Sequence, residues 1–345
     1  MVLSASALPS GLFARATALR RRYYAAAGRA RQLRQPVISV GNLRVGGSGK
    51  TPVVARLAAM LIDEGERPAI LSRGYARREP VDGVTVVSDG THVLADLDRA
   101  GDEPLMLARA LPGAGVFVSA DRFWAGAVAE RRFGATVHLL DDGFQHVRLR
   151  RDVDLVVTGA EDEHERTLPA GPLREPFSAL RRADALLVTG MSPSAARELA
   201  ERAGVPHVFT VTRAPAVPRH LEPWGVPLRL SREAPVVAVA GIARPERFFS
   251  DLERDGWQVA ARLAFRDHQP FGVRERQRIA DAVRNTGAAA VLTTEKDAVR
   301  LLPHRPLRLP IAWVPLSVSI EPADQLARWL MGRLAHARSR QKEGC

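Results

Sequence analysis

Cysteine is nearly absent from this sequence. Among its 345 residues the one cysteine is Cys345, at the end of the chain. A disulfide framework and a metal site built from cysteine ligands are therefore excluded. The composition is otherwise that of a folded protein, with 46% hydrophobic and 26% charged residues. A chain of this length and composition can form hydrophobic cores, and we expect two domains.

Long hydrophobic runs are also missing. A transmembrane helix needs about 18 or more consecutive apolar residues, whereas the longest run here, from Ala234 to Ala243, spans only ten. We therefore predict no membrane-spanning helix. A cleaved secretory signal is not expected either, because four arginines interrupt any apolar segment near the N-terminus, namely Arg15, Arg20, Arg21 and Arg22.

Acidic side chains do not occur before Asp63, although residues 1–62 contain ten of the 50 Lys and Arg side chains. The formal net charge of the whole chain is +12, so most of the excess lies in this first segment. Such a distribution favours an anionic partner for the N-terminus. A nucleic-acid-binding body is disfavoured, because the remainder of the chain is nearly neutral and only 6% of all residues are aromatic.

The N-terminal segment, residues 1–35, has the pattern of an amphipathic helix that starts at Pro9 and Ser10 and runs to about Arg34. One arc of this helix is apolar and holds Leu8, Leu12, Ala16, Leu19, Tyr23, Ala26 and Ala27, extended by Phe13 and Tyr24. The opposite side holds Arg15, Arg21, Arg22 and Arg29, with Arg20 and Arg31 at the apolar edge. This pattern predicts contact with an anionic membrane, to which each cation contributes roughly 1 kcal/mol. The alternatives are a helix packed on the protein with a solvated basic face and, less favoured, an organellar transit peptide.

From Val37 onwards short β-branched runs alternate with helical patterns, which predicts an α/β fold with a mostly parallel sheet and helices on both faces. We expect a first lobe at 36–212, a crossover rich in proline and arginine at 213–234, a second and smaller α/β lobe at 235–337, and a frayed tail at 338–345. The last two elements are predicted as a strand at 311–315 and a helix at 321–335.

A phosphate-binding loop follows the first predicted strand, Val37–Val40. Strand, glycine-rich turn, Lys-Thr and helix in this order predict a P-loop of an NTPase-like fold, whose amides and helix N-terminus bind phosphate. Lys50 is expected to reach the β- and γ-phosphates, and the Thr51 hydroxyl to bind Mg²⁺. The nucleotide-binding residues are predicted as Arg44, Val45, Gly46, Gly47, Ser48, Gly49, Lys50 and Thr51. Arg44 stands where the standard pattern has its first glycine, so the loop is a variant.

Lysine is almost as scarce as cysteine. Only Lys50, Lys296 and Lys342 are lysines among the 50 cationic side chains. A chain that otherwise uses arginine has lysine in the P-loop, where a compact point charge is required rather than a planar guanidinium. Lys296 follows a predicted strand of the second lobe, and a nucleotide-related role and a structural role are both open for it.

Two adjacent acids, Asp141 and Asp142, follow an apolar strand that is expected beside the P-loop strand. Carboxylates at this place organise Mg²⁺ in many P-loop proteins. Adjacent residues of a strand point to opposite faces, so the two acids should differ in role unless the turn at Gly143 breaks the alternation. The pattern does not decide which of them contacts the metal.

Two further polar features allow two interpretations each, and a third gives no indication of its ligand. Asp102 and Glu103 stand at a predicted helix start, where they cap the helix or, for Asp102, serve as general base for an alcohol. His268 lies on a loop after a strand of the second lobe, where it is either structural or catalytic. A rigid, proline-rich loop presents Arg174 and Glu175 without indicating their ligand.

Taken together, these motifs resemble the tetraacyldisaccharide 4′-kinase family of lipid A biosynthesis. The matching segments occur in family order and are VGNLRVGGSGKTP (40–52), SRGY (72–75), GDEP (101–104), DDGFQH (141–146), LPAGPLREP (168–176), DH (267–268) and TEKD (294–297). The basic and apolar N-terminus is similar as well. Two positions depart from the family pattern: Ala76 stands where glycine is common, and Gln269 where a second histidine is common. The second departure favours His268 as the functional histidine of this motif.

The resemblance implies ATP-dependent phosphorylation of the 4′-hydroxyl of a tetraacylated glucosamine disaccharide 1-phosphate. It implies a peripheral enzyme at the cytoplasmic face of the inner membrane of a Gram-negative cell, with ATP and Mg²⁺ as cofactors. The implied partners are the acylated disaccharide lipid and an anionic membrane surface, without nucleic acid or an obligate protein partner. A variant P-loop ATPase or GTPase, acting as a membrane-associated switch or loading factor, is the alternative.

Residue roles follow from the same resemblance. It makes Asp102 the base and His268 its partner across a cleft that closes when the two lobes approach. The implied metal site consists of Thr51, Asp141, Asp142 and Glu175. The implied contacts with phosphate or the sugar headgroup are Arg122, His146 and Arg174.

Overall fold

The structure, a computed structural model, describes residues 10–26, 28–46, 49–75 and 77–343. Its strands are β1 (Val37–Asn42), β2 (Pro68–Ser72), β3 (Thr85–Asp89), β4 (Gly115–Val118), β5 (Val137–Asp141), β6 (Val153–Gly159), β7 (Ala185–Thr189), β8 (Val208–Pro215), β9 (Arg219–His220), β10 (Val236–Ala240), β11 (Val259–Ala264), β12 (Ala290–Thr294), β13 (Ile311–Val314) and β14 (Leu316–Glu321). Its α-helices are α1 (Ser10–Ala25), α2 (Lys50–Asp63), α3 (Leu97–Ala100), α4 (Asp102–Ala110), α5 (Arg122–Val128), α6 (Pro193–Ala203), α7 (Pro245–Arg254), α8 (Val273–Thr286), α9 (Glu295–Leu301) and α10 (Ala323–Glu343).

Nine strands form a large sheet in the order β14-β8-β7-β6-β1-β5-β2-β4-β3. The strands from β8 to β4 are parallel, and β14 and β3 pair antiparallel at the two edges. α2 packs on the face that includes Ile38 and Val40, and α5 packs on the face that includes Val37 and Ala69. Both faces are therefore covered, which explains why the central strands are almost continuously apolar. The predicted α/β fold with helices on both faces is confirmed.

A second, small sheet contains five strands in the order β11-β10-β12-β13-β9, all parallel except β9. One hydrophobic core continues from the large sheet into the small one, since Ile38 and Leu107 belong to the same cluster of buried residues as Val239 and Phe271. At this junction α4 packs against α9. The N-terminal ends of these two helices carry the residues that are discussed below.

The N-terminal helix is shorter than the sequence predicts. α1 ends at Ala25 rather than near Arg34, and Gly28 follows with φ of 77°, a left-handed conformation that a right-handed helix does not contain. The chain then crosses to the large sheet, where the Arg31 amide donates to the carbonyl oxygen of Arg148 at 2.9 Å.

The C-terminal elements also differ from the expectation. The second lobe was expected to extend to residue 337, but the chain leaves the small sheet after β13, and β14 pairs antiparallel with β8 in the large sheet. α10 follows and continues to Glu343, so no fraying begins at 338. Side-chain contacts hold the end of this helix on the protein: Arg338 donates to Glu66 Oε2 at 2.7 Å, and Ala337 is buried.

Gly41 at the end of β1 allows the turn after β5 to approach closely. A Cβ at this position would lie 2.3 Å from Phe144 Cβ and 2.7 Å from the Phe144 amide nitrogen. We expect Gly41→Ala to lower the free energy of unfolding by about 1–3 kcal/mol, because the turn must move. Urea unfolding measures this loss. Gly332→Ala is the matched control: no atom lies within 4 Å of its Cβ position, and a small gain in stability is expected there. Equal midpoints for Gly41→Ala and wild type would contradict the close approach.

Candidate functional site

The P-loop connects the carboxyl end of β1 to the N-terminus of α2. Gly46 and Gly49 have φ of 91° and 70°, which favour glycine. The predicted ligands Gly47 and Ser48 lie outside the described residues. Val45 is exposed, and its amide donates to the Pro172 carbonyl oxygen at 2.9 Å.

Arg44, the residue that makes the loop a variant, does not point into the phosphate cradle. Its Nε donates to Asp162 Oδ1 at 2.7 Å, and its guanidinium also pairs with Glu165 at 3.3 Å. The side chain is only 12% exposed. Arg44 therefore anchors the start of the loop to the segment after β6, which is a positioning contact in this structure.

Lys50 reaches back over the loop towards the ends of β1 and β5. Its ammonium donates to Asn42 Oδ1 at 2.9 Å and pairs with Asp142 Oδ1 at 3.2 Å. The side chain is 10% exposed, so its charge lies in a poorly solvated environment. Such a charge interacts more strongly with phosphate than a charge in bulk water does.

The two acids at the end of β5, Asp141 and Asp142, face the same loop. The Thr51 hydroxyl donates to Asp141 Oδ2 at 3.4 Å, whereas Asp142 pairs with Lys50. Asp142 has φ of 58°, and this left-handed residue breaks the strand alternation, as the turn at Gly143 had suggested. Asp142 and His268 are the two non-glycine residues with positive φ in the described ranges. Strained backbone of this kind concentrates at functional sites.

The charge states of the two acids differ. Burial raises the pKa of Asp141 to about 7, reinforced by the nearby carboxylates of Glu103 and Asp142 and opposed by Lys50. Burial acts in the same direction on Asp142, but Lys50 and Arg174 hold its pKa below the ordinary value. Asp142 therefore stays ionised and is paired with Lys50 and Arg174. For Asp141, the effect of burial on the pKa exceeds the opposing effect of Lys50.

Arg174 closes the site on the side of the P-loop. Its two terminal nitrogens donate to the two carboxylate oxygens of Asp142, each at 2.9 Å, and Nη2 also donates to Asn42 Oδ1 at 2.9 Å. Its Nε donates to the backbone oxygen of Arg44 at 3.2 Å. This residue lies among P-loop groups, so its position suits a phosphate of the nucleotide as well as one of the acceptor.

Glu175 lies in a different environment from the other expected metal ligands. Arg21 of α1 donates to both of its oxygens, at 2.7 and 2.6 Å, and Arg182 and Gln145 donate to them as well. Among the residues that the structure describes, no three His, Cys, Asp or Glu side chains come together as a preformed metal site. Thr51 and Asp141 are thus brought together, while Glu175 is occupied by arginine.

The Asp102 and His268 side chains meet between the two sheets. His268 Nδ1 lies 2.9 Å from Asp102 Oδ2, although 166 residues separate them in the chain. Asp102 is the first residue of α4 and is 5% exposed. Burial would raise its pKa, but the hydrogen bond from His268 and the charges of Lys296 and Arg300 hold it below its ordinary value. The carboxylate therefore stays ionised at neutral pH and is in the state that can accept a proton from an alcohol.

Two of the expected headgroup contacts, Arg122 and His146, line the same region. Arg122 is buried at the start of α5, and burial together with the charge of Arg73 lowers its pKa to about 10, so it remains a cation. Burial and nearby arginines lower the pKa of His146 to about 3. His146 is therefore a neutral imidazole at physiological pH and offers hydrogen bonds rather than charge.

α1 joins this site through Arg21. The sequence places Arg21 on the basic side of the helix, opposite the apolar arc. In the structure its side chain is 11% exposed, and the guanidinium donates to the Phe144 carbonyl oxygen at 2.6 Å and stacks on the Phe144 ring. Leu19 and Tyr23, one helical turn apart, are 64% and 55% exposed. None of the helices within the described ranges has the length and hydropathy of a membrane span.

Several contacts were not predicted from the sequence. Asn42 accepts hydrogen bonds from Lys50 and Arg174, and its position at the end of the P-loop strand was the available signal. Arg300, four residues after Lys296 on α9, lies 3.6 Å from Asp102 Oδ2. Tyr75 packs its ring against the His268 ring with centroids 5.3 Å apart. These contacts depend on tertiary packing, which local patterns do not contain.

Comparisons with known proteins agree on one family. The sequence model of the tetraacyldisaccharide-1-P 4′-kinase family matches residues 5–335. The chain is 42% identical over 311 residues to the tetraacyldisaccharide 4′-kinase of Geobacter metallireducens, covering 88% of this chain and 90% of that one. It is 41% identical over 312 residues to the enzyme of the same name from a Bradyrhizobium species, covering 89% and 86%.

A solved structure is similar over almost the whole fold. The crystal structure of LpxK from Aquifex aeolicus in complex with ATP superposes with a TM-score of 0.76 at 31% sequence identity. The match covers 94% of this chain and 97% of that one. The similarity therefore includes both sheets.

Proposed function

Because the chain belongs to the tetraacyldisaccharide 4′-kinase family, we propose that it transfers the γ-phosphate of ATP to the 4′-hydroxyl of a tetraacylated glucosamine disaccharide 1-phosphate. It is a kinase that binds ATP, as its family and its structural neighbour indicate. The observation that carries the proposal is the Asp102–His268 contact beside the P-loop acids. Glu103, next to Asp102, contributes to the raised pKa of Asp141, so the start of α4 adjoins the nucleotide site.

The proposed base is Asp102. As the 4′-oxygen attacks the γ-phosphorus, its O–H bond breaks and the proton passes to the Asp102 carboxylate, while the bond from γ-phosphorus to the β-phosphate oxygen breaks and ADP leaves. His268 donates to Asp102 Oδ2 and fixes the orientation of the carboxylate. Lys50 and the loop amides stabilise the charge on the transferring phosphoryl group.

The residues present fit a magnesium ion. Asp141 is a buried carboxylate whose negative charge is incompletely balanced, and the Thr51 hydroxyl lies beside it. Mg²⁺ usually takes one or two protein oxygens and completes its shell with phosphates and water, so a preformed cluster of acids is not required. We assign Thr51 and Asp141 as its holders, with Asp142 and Glu175 in supporting positions. The ion supplies charge neutralisation at the phosphates when it is bound.

The acceptor lipid is proposed to lie on the side of Arg122 and His146. Arg122 offers a buried cation to a phosphate of the disaccharide, and the neutral His146 offers a hydrogen bond to a sugar hydroxyl. Arg174 would connect this region to the P-loop, since it already contacts Asp142 and Asn42.

The decisive test of the function is a transfer assay. Purified protein, labelled ATP, Mg²⁺ and the tetraacyl disaccharide 1-phosphate should give a labelled bisphosphorylated lipid. ATP hydrolysis with no label on the lipid would reject the kinase proposal in favour of a P-loop ATPase switch. Omitting Mg²⁺ should abolish transfer, and this control tests the metal separately.

We further propose that α1 holds the enzyme peripherally on the inner membrane, at its cytoplasmic face where ATP is available. Leu19 and Tyr23 are exposed next to Arg20 and Arg22, so apolar and cationic groups share one surface. Insertion of such side chains and attraction of the arginines to anionic lipid act together. The inward contact of Arg21 with Glu175 ties this helix to the site.

A double substitution tests the membrane contact. We expect Leu19→Asp with Tyr23→Asp to lower binding to anionic vesicles at least tenfold, because about 1.5–3 kcal/mol of apolar burial per side chain is lost. Sedimentation with vesicles of mixed anionic and zwitterionic lipid measures this change. Val273→Asp, at a position 74% exposed on α8, is the control and should bind like wild type. Unchanged sedimentation of the double variant would reject α1 as the anchor.

A further inference from the structure

Lys296 lies at the centre of the contact between α4 and α9. Its Nζ is 3.2 Å from Glu103 Oε1, 3.4 Å from Asp267 Oδ1 and 3.2 Å from His268 Nε2. It is also 3.9 Å from Asp102 Oδ2, and the side chain is 15% exposed. The sequence left a nucleotide-related role and a structural role open for this residue, and the structure places it against the proposed catalytic pair.

The Lys296 ammonium and the ionised Asp102 carboxylate together fix where the proton of His268 resides. A lysine ammonium has three hydrogens and accepts no hydrogen bond. His268 Nε2 must therefore be the acceptor, which leaves the ring proton on Nδ1. Nδ1 then donates to Asp102 Oδ2 at 2.9 Å. Lysine, histidine and aspartate thus form one directed chain of hydrogen bonds.

The surrounding charges keep Lys296 protonated. Burial would lower its pKa, but Asp102, Glu103 and Asp267 raise it above the ordinary value, against the opposing charge of Arg300. The groups that contact His268 are Asp102 of α4, Asp267 of its own loop, Lys296 of α9 and the Tyr75 ring. Two further charged groups lie one contact away: Glu103 pairs with Lys296, and Arg300 with Asp102. Within the described residues, Lys296 is the group that donates to His268 Nε2.

The contacts of Lys296 also exclude a direct part in binding phosphate in this arrangement. Its three hydrogens have three acceptors, namely Glu103, Asp267 and His268. Arg300 holds α9 in place, because its Nη2 donates to the Gly241 carbonyl oxygen at 2.7 Å and pairs with Asp297. The position of α9 is thereby fixed, and Lys296 on this helix contacts Glu103 of α4.

We propose that Lys296 is a positioning residue for phosphoryl transfer: it holds His268 as the Nδ1–H tautomer directed at Asp102, and through Glu103 it joins the small sheet to the large one. Asp102 and His268 are then arranged for proton transfer only when α9 and α4 are in contact. This inference rests on the proposed kinase function, because it concerns the same base.

The first test observes the tautomer directly and needs no turnover. Protein labelled with ¹⁵N-histidine gives one-bond and two-bond ring correlations, and His268→Gln identifies the His268 signals. We expect a protonated Nδ1 and an unprotonated Nε2 in wild type, and the same pattern in Lys296→Arg. In Lys296→Met we expect Nε2 to gain a proton, because its donor is lost while Asp267 Oδ1 remains 3.8 Å away. A wild-type pattern in folded Lys296→Met would overturn the proposal.

The second test measures kinetics. Lys296→Met should lower kcat by about 10- to 100-fold, by analogy with groups that orient a metal-binding histidine, with little change in the KM for ATP. The acid limb of the kcat/KM profile should move to higher pH by about half a unit or more, because a positive charge near Asp102 is lost. Lys296→Arg should restore most of the rate.

Controls separate the possible failures. Arg284→Met removes an exposed cation of α8 that pairs with Asp281, and it should behave like wild type. Lys296→Met that loses rate but keeps the wild-type pH profile and tautomer would show a merely structural lysine and reject the positioning role. If wild type forms no phosphorylated lipid, the kinase function fails, while the tautomer measurement still decides whether Lys296 sets the state of His268.

Discussion

Asp102→Asn is expected to lower kcat for lipid phosphorylation by about 10² to 10⁴, the usual contribution of a general base, while ATP affinity stays nearly unchanged. Asparagine preserves the size of the side chain and an oxygen that accepts from His268, but it cannot take the proton of the 4′-hydroxyl. The measurement combines steady-state transfer from labelled ATP with equilibrium binding of ATP to the same preparation.

The matched control for this variant is Asp98→Asn, one helix earlier. Asp98 is 42% exposed and pairs with Arg78 at 3.6 Å, so its loss should leave both kcat and ATP affinity at the wild-type level. A large loss of ATP binding in Asp102→Asn would contradict the assignment of this carboxylate as base. It would indicate instead that Asp102 supports the nucleotide site.

Lys50→Met is expected to weaken ATP binding and to lower kcat by about 10² to 10³, the loss that follows removal of one preorganised hydrogen-bond donor. Methionine keeps most of the length of the lysine side chain but removes the cation beside Asp142 and Asn42. It also removes a charge that opposes the raised pKa of the Asp141 carboxyl, which makes that group a weaker partner for Mg²⁺. Transfer assays and ATP titration measure the two effects.

Lys50→Arg distinguishes charge from shape at this position. A planar guanidinium is larger than an ammonium and requires a fork of acceptors, so we expect little recovery of activity. Arg254→Met, which removes an exposed cation of α7 paired with Asp251, is the control and should match wild type. Full activity of Lys50→Arg would show that a positive charge of any shape suffices, against the argument from the scarcity of lysine.

The large sheet was predictable because its strands follow local rules. Strands that are covered on both faces need continuous apolar runs, and the sequence contains these from β1 to β7. β14 was missed although Leu316–Glu321 alternates apolar and polar residues, because the segment follows β13 without a turn signal. The extent of α1 was overestimated for the opposite reason: its periodicity continues beyond Ala25, but tertiary contacts redirect the chain.

Within the site, the P-loop and its acids could be predicted because each lies on one short segment. The environment of Glu175 could not, since Arg21 comes from a helix more than a hundred residues earlier. The same holds for His146, whose neutral state results mainly from burial, and to which the distant Arg122 and Arg20 contribute together with the nearby Arg151 and Arg148. The pKa of a side chain depends on its neighbours in space and not on its neighbours in the chain.

The sequence by itself determined the α/β class, the phosphate-binding loop, the excess of basic residues at the N-terminus and the family. These properties depend on hydrophobic periodicity, on short motifs and on composition, all of which are local. Only the tertiary structure decided that Asp102 and His268 touch, that Lys296 donates to that histidine, and that Asp141 and Asp142 face one loop. These contacts join segments that are distant in the chain, and their charge states depend on desolvation, which exists only after the two sheets have packed together.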